Sequence, residues 1–85
     1  MESYASALGA VRDVLGIYAP NPDLVAESIE LEQAVRSAVE AARHDGLSRH
    51  RVLADLDGVV TVAIPDDKLG GASVTHIVRK WATEA

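Results

Sequence analysis

Near the start of the chain, apolar residues fall at Tyr4, Leu8, Val11, Leu15 and Tyr18, spaced by four, three, four and three. This spacing keeps them on one stripe of a 3.6-residue turn and predicts an amphipathic helix from about Ser3 to Ile17. Pro20 and Pro22 close it, since the residue before a proline is pushed out of the helical region. A second helix is expected from Pro22 to His44, with Asn21 as cap and Asp23 near the positive end of the dipole. Leu24, Leu31, Val35, Ala38 and Ala42 form its inward face, flanked by Val25, Ile29 and Val39, with Glu27, Glu30, Arg36 and Glu40 outside. Ser28 is an alternative cap that would divide this run into a short and a longer helix, and the pattern does not choose between the two.

Gly46 is placed to end that helix in the left-handed conformation. Ser48 then caps a third helix, Arg49 to Leu56, with Val52, Leu53 and Leu56 inward and a break at Asp57-Gly58. The β-branched run from Val59 to Ile64, bounded by Gly58 and Pro65, favours a short strand. A turn is expected from Pro65 to Gly71. Val74, Ile77, Val78 and Trp81 fit a last helix capped by Ser73. The competing assignment is a strand from Ala72 to Val78 that pairs back on Val59–Ile64 as a hairpin. The helix is favoured, and the expected fold is mainly α: one small helical domain over residues 1–85, with three or four helices and at most one short β element.

Composition narrows the chemistry. The 85 residues include no cysteine, so neither disulfides nor thiolate metal sites can form, and a reducing compartment is the natural setting. The chain opens with an acidic residue instead of a basic leader, and its longest apolar run is too short to span a bilayer. A cytoplasmic protein without a membrane partner is the expectation. The net charge is -5, and all of it lies before Arg43; the remainder balances acids against bases and holds His44, His50 and His76. A polyanion would have to approach that second part.

The sequence Ala41-Ala42-Arg43-His44-Asp45-Gly46-Leu47-Ser48, followed by Val52 and Leu56, resembles the helix-turn-helix of small bacterial and phage DNA-binding regulators. That family places a small residue, here Ala42, four positions before a turn glycine, here Gly46, because two helices cross closely there. Apolar residues just after the glycine and five further on are supplied by Leu47 and Val52. The resemblance implies a non-enzymatic regulator that binds double-stranded DNA. Ser48, Arg49 and His50 would head its recognition helix. Arg43, Arg51 and Lys68 would add phosphate contacts, Lys68 at the tip of a wing if the hairpin forms. Arg79 and Lys80 could extend the basic set.

Other chemistries find little support. His44, Asp45, Ser48 and His50 are the residue types of an acid-base or nucleophilic site, but they straddle a surface turn, so no catalytic residue is expected. Neither they nor His76 match a metal-ligand spacing, and no cofactor, metal or small-molecule substrate is indicated. Gly70-Gly71-Ala72-Ser73 could cradle a phosphate on backbone amides but lacks the following lysine of the longer motif. The second function class is an interaction or oligomerisation module. Its interface would be the first-helix stripe of Tyr4, Leu8, Val11, Leu15 and Tyr18 together with Trp81, since aromatics anchor interfaces. A short, alanine-rich core makes a homodimer the expected state under either reading.

Overall fold

The computed structural model describes residues 3–65 and 73–85. Four α-helices, α1 (Tyr4–Tyr18), α2 (Ile29–His44), α3 (Arg49–Ala63) and α4 (Val74–Glu84), are joined by a 3-10 segment, Pro22–Glu27, between α1 and α2. The fold is a small, mainly helical domain, and no strand occurs among the described residues.

A serine starts each α-helix in the same way. Ser3, Ser28, Ser48 and Ser73 adopt extended backbone and accept a hydrogen bond from the amide three residues on, belonging to Ser6, Leu31, Arg51 and His76 at 3.1–3.2 Å. Each bond satisfies one of the amides that a helix start leaves without an intrahelical partner. Ser28 decides the question the pattern left open: it ends the 3-10 segment and starts α2, dividing the expected long helix. Asn21 precedes the 3-10 segment without a side-chain cap bond. The division also changes which residues face inward. Val25 is fully buried, whereas Leu24, expected in the core, is 47% exposed.

The core is made of small and branched side chains. Tyr4, Ala7, Val11, Val14 and Leu15 of α1 meet Leu31, Val35, Ala38, Ala41 and Ala42 of α2, with Val25 beneath. Val52, Leu56, Val60 and Ile64 from α3 and Val74, Val78, Trp81 and Ala82 from α4 complete it. The ten-residue connection and the extent of their packing set α1 and α2 side by side; α3 packs on α1 and α4, and α4 also reaches α2 and the 3-10 segment.

The strand expected from Val59 to Ile64 is a correction. Helix α3 runs through Gly58 to Ala63, and Ile64 closes it by donating its amide to the Val60 carbonyl at 2.8 Å. Val52, Leu56, Val60 and Ile64 recur every four residues and are all buried. Burial of that stripe outweighs the modest cost of one glycine and several β-branched residues in a helix. Thr61 turns its hydroxyl back to the Asp57 carbonyl at 2.9 Å, which satisfies it locally. With Val74–Glu84 also helical, the hairpin and its wing are absent from both of its expected arms. The proposed wing tip, Lys68, and the glycines Gly70-Gly71 lie outside the described residues.

Candidate functional site

Helix α2 ends in a turn that directs the chain into α3. Gly46 is at φ +74°. Its amide donates to the Arg43 carbonyl at 3.2 Å, and the amide of Leu47 donates to the Ala42 carbonyl at 2.9 Å. This is the Schellman pattern, in which a left-handed residue lets the last carbonyls of a helix find donors. Leu47 packs against the core beside Ala42, and Val52 is buried one turn into α3. The small residue, the turn glycine and the two apolar residues read from the sequence therefore converge on one corner.

Around that corner Arg43, Ser48, Arg49, His50 and Arg51 are exposed, but most of the basic groups near it are already engaged. Arg51 lies 3.7 Å from the Asp55 carboxylate and His44 lies 3.4 Å from that of Asp45. Arg79 of α4 reaches Asp57 of α3 at 3.2 Å, and Arg43 donates to the backbone oxygen of Ala85 at 3.2 Å. Arg49 has no ion-pair partner among the described residues. The second oxygen of Asp57, Oδ1, is buried and unpaired among them as well.

Asp55 lies on α3, one turn after Arg51. Here it is half-buried and accepts a hydrogen bond from the Tyr4 phenol at 2.8 Å. Burial, that bond and the carboxylate's charge all push the Tyr4 phenol above its ordinary pKa, while nearby Arg51 acts in the opposite sense.

Between α2, the turn, α3 and α4 lies a cavity of about 250 Å³. Val39, Ala42, Leu47, Val52, Leu53 and Ala82 give it apolar walls, and Arg43, Gly46 and Arg49 complete its lining. Nothing in the sequence singles out such a cavity, because its residues come from three helices and a turn.

The stripe expected to meet a partner is occupied within the chain. Tyr4, Val11, Leu15 and Trp81 are buried, and Leu8 and Tyr18 are packed against the same core. Among the described residues, the large apolar side chains that do face solvent are Ile17, Leu24, Ile29 and Val62, at 67%, 47%, 71% and 73% exposure. Among the described residues no group of three or more histidine or acidic side chains could hold a metal ion, and no helix is long and apolar enough to cross a membrane. No family model matches the chain, and no curated protein or solved structure matches it.

Proposed function

We propose that this chain is a helical protein-interaction module whose docking surface lies where α1 passes through the 3-10 segment into α2. The observation that carries this reading is the exposure of Ile17, Leu24 and Ile29 within thirteen consecutive residues, while every other large apolar side chain among the described residues except Val62 is buried or partly buried. Exposed apolar groups that cluster near one another, rimmed by charge, favour a partner. Here the flanking charge along the chain is mostly acidic. Arg12 and Arg36 lie close to Asp13 and Glu32, at 3.8 and 3.1 Å, whereas Asp23, Glu27 and Glu30 have no cationic partner among the described residues. Two copies meeting through this surface would oppose their carboxylates, so the complementary partner is a basic amphipathic segment of another protein. Photo-crosslinking residues placed at Ile17, Leu24 and Ile29 in the native host should give one discrete adduct with a basic protein, and a residue at Val62 should not. Absence of adducts, or equal labelling at Val62, would remove this reading.

A second reading, a DNA-binding regulator of helix-turn-helix type, is favoured by the turn at Gly46 and by the exposure of Arg49, His50 and Arg51 on the first turn of α3. It stands second because the ion pairs to Asp55 and Asp57 offset the charge of Arg51 and Arg79. Phosphate neutralisation supplies most nucleic-acid affinity, so the charge available for that task matters most.

A further inference from the structure

We infer that the cavity between α2, α3 and α4 is a binding site for a small free carboxylic acid with an aliphatic body of six to eight carbons. It stands apart from the docking surface on α1 and the 3-10 segment, and its success or failure leaves that reading untouched. Two features of the cavity lead to this ligand class. The first is shape and polarity: its volume is about 250 Å³, and Val39, Leu47, Val52 and Leu53 give it apolar walls. An enclosed, wholly apolar cavity of roughly 150 Å³ takes benzene, and this more open space of about 250 Å³ has room for a longer aliphatic chain. It is too small for a folded peptide segment, and pockets for drug-sized ligands usually start at about 300 Å³.

The second feature is charge. In a chain of 13 acidic and 8 basic side chains, the described residues lining this cavity include two arginines and no acid. Arg49 has no ion-pair partner among the described residues, and Arg43 spends one donor on the Ala85 backbone oxygen. A guanidinium presents five donors in a planar fork that matches a carboxylate. The arrangement therefore offers apolar walls together with two guanidinium side chains, the complement of an aliphatic acid.

The test titrates the intact chain with octanoate, octanol and acetate while amide chemical shifts are followed. Octanoate should bind saturably and move the amides of Val39, Gly46, Leu47 and Leu53. Octanol, which has the body without the charge, and acetate, which has the charge without the body, should each bind at least tenfold more weakly. The double variant Arg43→Gln, Arg49→Gln should retain the parent spectrum away from the site and lose at least tenfold in octanoate affinity. Octanol binding as tightly as octanoate, shifts centred elsewhere, or no saturation with octanoate would each overturn the assignment. An acidic leucine-containing peptide serves as a competitor; if it bound more tightly than octanoate and shifted residues well beyond the cavity, the occupant would be a protein segment and the free-acid assignment would fall. The comparison of the three small ligands uses only the unmodified protein, so it decides the matter even if the double variant folds poorly.

Discussion

The Tyr4 phenol donates to the Asp55 carboxylate at 2.8 Å, joining the first turn of α1 to the middle of α3 across 51 positions of sequence. Because the acceptor is charged, this bond is of the stronger kind, and it gives a half-buried acid a donor from a second helix. Arg51, 3.7 Å away on the same helix, shares that carboxylate. The pair thus contributes to two things at once. It holds α1 on α3, and it offsets part of the positive charge on α3's exposed face.

Replacing Tyr4 by phenylalanine should lower stability by about 1.5–3 kcal/mol at neutral pH, the usual range for a hydrogen bond to a charged group. The pH dependence follows from the direction of the phenol's shift. Its pKa is raised in the folded chain, so folding favours the protonated form. That contribution is fully present below the unfolded tyrosine value of about 10 and is lost as pH rises through the folded value. Urea midpoints measured at about pH 7 and about pH 11 should therefore converge for parent and variant. A gap that stays constant or widens at high pH would contradict the bond's assigned role.

Two glycines should respond to alanine with opposite signs. Gly46 is at φ +74° with open space where a Cβ would stand, so the penalty is conformational and amounts to about 1–2 kcal/mol. Gly58 lies inside α3, exposed, also with nothing near a new Cβ. There alanine should stabilise by about 0.5–1 kcal/mol through helix propensity. Thermal melting of the two single variants would show one midpoint falling and the other rising; shifts of the same sign would refute the account of the turn or of the continuous α3.

The serine caps should differ in weight. Ser28 is buried at 5% exposure and separates the 3-10 segment from α2, while the Ser48 cap bond is exposed. Changing Ser28 to alanine leaves the Leu31 amide without its acceptor in a buried setting and should cost about 1–2 kcal/mol. The Ser48 change should lie near or below about 1 kcal/mol. Chemical denaturation of both variants checks the order.

Much of the architecture was legible because caps and apolar spacing are local signals. The stripe of α1, the serine caps at Ser48 and Ser73, the helical assignment of Val74–Glu84 and the turn at Gly46 all rest on residues within one or two turns of each other. Val59–Ile64 was misread because β-branching is also local, whereas its helical state depends on Val60 and Ile64 continuing a stripe begun at Val52, buried against other helices. The Asp55 partner, 51 residues away, and the cavity walls contributed by separate helices belong to tertiary structure. Pattern reading could find the turn at Gly46 but not which of the arginines around it were already paired.

That pairing gives the DNA-binding reading a quantitative test. If α3 meets DNA, Arg49, which has no ion-pair partner among the described residues, is free to contact a phosphate. Arg51 must give up part of its attraction to Asp55, 3.7 Å away. Arg49→Ala should then reduce affinity more than Arg51→Ala, and each lost phosphate contact should lower the slope of log affinity against log salt by about one. Asp55→Asn should act in the other direction: it removes a negative charge beside Arg51 while keeping an oxygen able to accept the Tyr4 bond. DNA affinity should rise several-fold at low salt, and the slope should steepen. Fluorescence anisotropy with a labelled duplex across a salt series resolves all three variants. If the parent binds no duplex at low salt, or if neither arginine variant alters affinity or slope, the corner is a packing element and the proposal of an interaction module stands alone.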